Sequence, residues 1–220
     1  MKKLIFLLVV LLVFVDTCSM QHSDAILMAT VYEGEKALPK MYQALKQGAR
    51  VNTQFAGNTA LHMALYRGPL VVKALIDYGA DVNIRNAAGE NFEELIKKLS
   101  DGARWPIEQV IKTYKALKEE VLTKPNKETL RKVVQAGYIS LVKQILPKLT
   151  LTAQEDKQMA EMAKQIYQNS QVKDPAYQEI GRIFQTRLGV VSDTSRVSKH
   201  GLIGVHNLPH DVADVIRQKL

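Results

Sequence analysis

The sequence predicts an all-α fold: a solenoid of stacked helix pairs with additional helices at its C-terminal end. Two stretches, Leu45–Asn52 and Ile76–Asn83, are near-copies of one another 31 residues apart. Between and around them, apolar residues recur at helical spacing on either side of single glycines, the pattern of short paired helices. Composition removes the competing classes. A chain of 220 residues with one Cys, 12 Gly, 7 Pro and 46% hydrophobic residues is neither collagen-like, disulfide-stapled nor wholly disordered. Multi-cysteine zinc modules and CxxC redox motifs are excluded by the same count.

The formal charge of +8 is unevenly placed. Ser23 to Ser100 holds 9 basic and 8 acidic residues, Asp101 to Leu220 holds 19 and 13. The excess is scattered among acids, which fits an ordinary surface and predicts no nucleic-acid partner.

The first segment is Met1-Lys2-Lys3, then uncharged Leu4 to Val15, then Asp16 to Ser19. A basic start and a short apolar run define a secretory signal peptide over residues 1–19, cut after Ser19. The run is shorter than the ~20 apolar residues that span a bilayer. Lipidation at Cys18, an uncleaved anchor and a buried helix of the fold are the alternatives. Apart from this leader or a lipid on Cys18, no contact with a membrane is expected. The cleaved chain would hold no cysteine and would be exported, periplasmic or secreted.

The strongest unit lies at 57–83, inside a repeat domain expected over 24–149. Thr59 can cap a first helix carrying Leu61, Ala64 and Leu65 on one face. Gly68 permits the turn, Pro69 suits the next helix's first position, and Val72, Leu75 and Ile76 form its apolar stripe. Gly79 stops it, and Asp81 to Ala88 forms an extended finger.

Residues 57–83 resemble an ankyrin repeat. The resemblance covers Gly57, the Thr59-Ala60-Leu61-His62-Met63-Ala64 opening with Ala60 in place of the usual proline, the mid-repeat Gly68, and the Gly79, Asp81, Val82, Asn83 close. It implies that His62 forms hydrogen bonds that tie adjacent repeats. It also implies a non-catalytic protein that binds a protein partner on a concave face built from finger tips and first helices. The tip positions are Thr53 to Ala56 and Ile84 to Ala87, which makes Gln54, Phe55, Arg85 and Asn86 the candidate partner-binding residues. Phe55 and Arg85 are the types that most often anchor interfaces. For Phe55, packing on the neighbouring finger is an equal alternative.

The flanking units are more degenerate. Ala25 to Gly48 reads as a helix pair with about three extra residues near Pro39. Gly89 to Glu120 keeps the opening glycine, puts Asn91 where Thr59 stood and Glu94 where His62 stood, and resumes after Pro106 with a helix over Ile107 to Glu120. Thr129 to Leu149 matches a second helix without a finger before it. Four units suffice, since about three must stack to bury their faces.

Residues 150–188 supply further helices that extend or cap the stack. Thr152 and Glu155 form a capping box before a stripe of Met159, Met162, Ala163 and Ile166, and Pro175 opens a helix over Ala176 to Leu188. The Ser- and Gly-rich run 189–206 reads as a flexible linker. At 207–220 an amphipathic terminal helix is expected. Its Leu208-Pro209 start and apolar spacing are similar to the first helix of an F-box, which implies an alternative role as a secreted adaptor recruiting host ubiquitin machinery.

Phosphate-binding loops, nucleophile elbows and H-E-x-x-H are absent from the sequence. His206 and His210 lack a third ligand, and Glu93-Glu94 reads as a solvated helix face. No catalytic, cofactor-binding or metal-binding residue is assigned and no cofactor is expected.

Overall fold

The computed structural model describes residues 22–200, with side chains described as far as Gly189. The expected leader at 1–19, Cys18, the His206/His210 pair and the terminal helix at 207–220 lie outside the described residues.

The first unit is α1, His22–Glu33, and α2, Leu38–Lys46. The extra residues expected near Pro39 form a 3-10 turn, Gly34–Ala37, that links them. A two-stranded hairpin follows, β1 Gln54–Phe55 and β2 Asn58–Thr59, the only strands among the described residues. It leads into α3, Ala60–Ala64, and α4, Pro69–Asp77. The third unit is α5, Phe92–Ile96, with α6, Asp101–Thr123. The fourth is α7, Lys127–Ala136, with α8, Ile139–Ile145, and the described residues close with α9, Ala153–Asn169, and α10, Pro175–His200.

Side-chain caps set several of the starts. Thr59 and His62 form a capping box on α3, Asn91 and Glu94 one on α5, and Thr152 and Glu155 one on α9. Each satisfies two of the orphan N–H groups at a helix start. The third unit's second helix begins earlier than the sequence suggests, at Asp101. Pro106 falls within it because the carbonyl its missing N–H would have bonded belongs to Gly102, which is exposed to water.

Two expectations are corrected. The first is the linker: α10 continues through His200, so residues 189–200 are helical. Ser and Thr cost a helix only a few tenths of a kcal/mol each relative to good formers, and no proline interrupts the run, so a helix already nucleated at Pro175 propagates through it. The second concerns the end of the stack, where helices expected to extend or cap it lie alongside the repeat units. α8 returns to α4, and α10 lies along α2 and α8. The outer face of the repeat units is therefore covered rather than solvated.

That covering explains α4. Every residue from Val71 to Asp77 is buried, including Lys73 and Asp77. A helix that is apolar nearly all round requires neighbours on all sides. α2, α3, α6 and α8 supply them, with Ile139 and Leu141 of α8 all but inaccessible.

The two charged residues of α4 make the join. Lys73 Nζ donates to the Gly137 carbonyl at 2.6 Å and to Asp174 Oδ2 at 2.8 Å, and lies over the Tyr138 and Tyr177 rings. Gly137 takes the left-handed φ of +72° that ends α7, and a Cβ there would come within 2.8 Å of Tyr177. One turn further along α4, Asp77 accepts the N–H groups of Ile139 and Ser140 at 2.8 and 3.0 Å and the Ser140 hydroxyl at 2.6 Å. Burial also pushes the phenols of Tyr78 and Tyr177 up to about 12.

Candidate interaction surface

The hairpin between the first two units is built by a two-residue turn. Ala56 and Gly57 both have positive φ, +48° and +76°, which gives the type I′ geometry that matches strand twist. Register pairs Gln54 with Thr59 and Phe55 with Asn58. Ala56 pays the Cβ penalty of the left-handed region, on the order of 1 kcal/mol. Gly57 cannot carry a Cβ, because one would stand 2.5 Å from Ala87 Cβ on the next finger.

The second finger is a turn without strands. Asn86 Oδ1 accepts the N–H groups of Ala88 and Glu90 at 2.9 and 3.0 Å. Gln54 reaches across to donate to the Arg85 carbonyl at 2.7 Å. Arg85 pairs with Glu94 at 3.1 Å and donates to the Gly89 carbonyl. At its base, Asn52 accepts the Asp81 N–H at 2.9 Å, and Asp81 in turn accepts the Asn83 N–H at 2.9 Å.

The four candidate contact residues thus divide. Gln54, Arg85 and Asn86 hold the fingers to one another and to α5. Phe55 stands apart, 57% exposed at the tip of the hairpin rather than packed on its neighbour. The motif residues Leu61 and Ala64 are buried in the core, while Gly68 and Gly79 hold the positive φ that their turns require.

His62 closes its own cap. Nδ1 accepts the Thr59 N–H at 3.1 Å and lies 2.7 Å from the Thr59 hydroxyl. Burial lowers the imidazole below its ordinary value, and the Ile84 and Glu90 carbonyls of the next finger partly oppose this. The ring is therefore held neutral. Because its folded value is depressed, the stability it contributes is present above about 6.5 and is lost as pH falls. Thermal melts taken at decreasing pH are expected to show Tm falling through the acid side of 6.5, with a shallower slope in His62→Gln.

The sequence reading missed the opposite end of the units. Tyr32 and Tyr66 are 64% and 76% exposed, each two residues before an inter-helix glycine, Gly34 or Gly68. The shared Tyr-x-Gly spacing was the available signal. The Arg67 guanidinium stacks on the Tyr32 ring, 4.2 Å from its centroid.

Among the described residues, no group of three or more His, Cys, Asp or Glu is placed to hold a metal, and no helix is long and apolar enough to cross a membrane. Paired short helices behind a finger, stacked with their neighbours, define a helical repeat protein with an exposed finger surface. Its second unit matches the family model of the ankyrin repeat over residues 56–87. No curated protein and no solved structure matches the chain.

Proposed function

We propose that this is a non-enzymatic ankyrin-repeat protein that holds a protein partner on its finger side and acts outside the cytoplasm, exported under the Met1–Ser19 leader. The observation that carries the binding reading is Phe55: a large apolar ring left exposed on a turn that the fold holds rigidly, beside fingers whose polar groups are already satisfied. Such aromatic anchors dominate interface energies. The export reading rests on the leader's sequence alone.

The experiment is crosslinking of the full chain in the exported fraction, parent against Phe55→Ala. The substitution is expected to leave stability within about 0.5 kcal/mol, since the ring packs on little. It is expected to weaken partner capture by at least about ten-fold, equivalent to the loss of one hot spot. Unchanged capture would remove the finger tip from the binding surface.

A further inference from the structure

The C-terminal hairpin does not seal against the first repeat unit along its whole length. α10 is fastened to α2 by the Lys46–Glu179 ion pair at 2.6 Å. On either side of that fastening the seam stays open. Beyond the Gly34–Ala37 turn it forms a groove of about 750 Å³, walled by Tyr66 and Arg67 on one side and by Val172 and Lys173 of the α9–α10 loop on the other, with Pro39 and Pro69 between them. Pro39 also lines the next stretch, about 260 Å³ between α2 and α10, whose far end is Gln178 and Arg182. Those two residues in turn line a groove of about 390 Å³ between α9 and α10, flanked by Tyr167, Tyr177 and Lys164.

The first two stretches meet at Pro39 along the seam, and the third opens on the other side of Gln178 and Arg182 of α10, so that Arg182 borders both. Their walls alternate proline and tyrosine rings with cations. Arg67 touches the Tyr32 ring and has no carboxylate partner, and Lys36 has no ion-pair partner among the described residues. The acids are largely committed. Glu35 accepts the Leu70 N–H at 3.1 Å, and Glu179 sits between Lys46 and Arg182, leaving Glu33 as the carboxylate of the seam without an ion pair among the described residues. The unbalanced charge is positive.

We propose that this seam binds an extended acidic segment of a partner protein, one in which carboxylates alternate with proline or aromatic residues. Flat rings spaced along a valley suit an extended, polyproline-like strand, and the cations between them suit its carboxylates. A nucleic acid is disfavoured because Glu33, Glu35 and Glu179 interrupt the cations, and a continuous phosphate backbone would meet them. The first two stretches lie where the repeat units and the C-terminal hairpin meet, and none of the three is lined by a finger residue, so the seam is separate from the finger surface.

The test is fluorescence anisotropy on the full chain with three labelled probes: a short peptide of Glu, Pro and Tyr, its counterpart with Lys for Glu, and a single-stranded RNA. The Glu peptide is expected to bind, more weakly as salt rises, and the other two to bind at least ten-fold less tightly. Combining Arg67→Gln with Arg182→Glu is expected to weaken the Glu peptide about ten-fold. Lys36→Glu, at an exposed side chain without an ion pair in the fold, is expected to weaken it several-fold, and Phe55→Ala to leave it unchanged. Failure of the Glu peptide to bind, equal binding of the Lys peptide or the RNA, or indifference to both sets of seam substitutions would overturn the proposal. An effect of Phe55→Ala equal to that of the seam variants would also overturn it, by placing the peptide on the fingers.

Discussion

Replacing Lys73 with Met is expected to destabilise the protein by about 3–5 kcal/mol, the cost of leaving a buried charge without its partner. The Lys73 and Asp174 side chains are 7% and 4% exposed, so water cannot replace the ammonium. Asp174 would keep the Ala176 N–H at 3.0 Å and the neighbouring Tyr42 hydroxyl but no charge partner, and the Gly137 carbonyl would lose its donor. Met preserves the aliphatic stem against Tyr138 and Tyr177, which separates the charge effect from lost packing. Against a typical total stability of about 5–15 kcal/mol, this is enough to loosen the C-terminal hairpin from the repeats. Adding Asp174→Asn to Lys73→Met removes the orphaned charge and is expected to recover at least about 1 kcal/mol. Urea denaturation of the parent, both single variants and the double variant measures this coupling. A Lys73→Met variant within about 0.5 kcal/mol of the parent would mean that the pair is solvated.

The same pair shows where the sequence was readable and where it stopped being so. The run from Val71 to Ile76 is apolar enough to demand burial, and the glycines and caps around it set the helix ends. Lys73 and Asp77, one turn apart, look in sequence like the solvated stripe of an outer helix. Their partners lie 101 and 62 residues away, and no local pattern links such positions. The C-terminal helices could be read from the Thr152–Glu155 box and the stripe of Met159 and Ala163, but not the surface they cover. The composition of residues 189–200 suggested a loop because serine and glycine are frequent in loops. Continuation of α10 depends instead on nucleation further back, which composition does not record. At the fingers, the exposure of Phe55 was legible because a ring at a turn has few other places to go. The bonds that Gln54, Arg85 and Asn86 make within and between the fingers were not legible, because polar side chains at turns bond as readily to backbone groups as to a partner.

The second large effect is expected at Asp77, where one carboxylate serves three donors at the start of α8. Asp77→Ala strands the buried N–H groups of Ile139 and Ser140, and a loss of about 3 kcal/mol is expected, since each unsatisfied buried donor costs about 1–3 kcal/mol. Asp77→Asn keeps one oxygen acceptor and is expected to cost less. The comparison with Asn also has a sign in pH. Burial raises the Asp77 carboxyl above 3.8, opposed by the Ser140 hydrogen bonds and the nearby Lys73 charge. A group whose folded value is raised contributes stability that is fully present below its unfolded value and is lost as pH rises through its folded value. Asparagine does not titrate. The stability gap between parent and Asp77→Asn is therefore expected to widen as the solution is acidified towards about 4 and to narrow at neutral pH. Urea midpoints of the two proteins across that range provide the measurement, and their difference cancels the other carboxylates. A gap that narrows on acidification would show that the bonds from α8 outweigh the cost of burying the charge, with the folded carboxyl below 3.8 rather than above it.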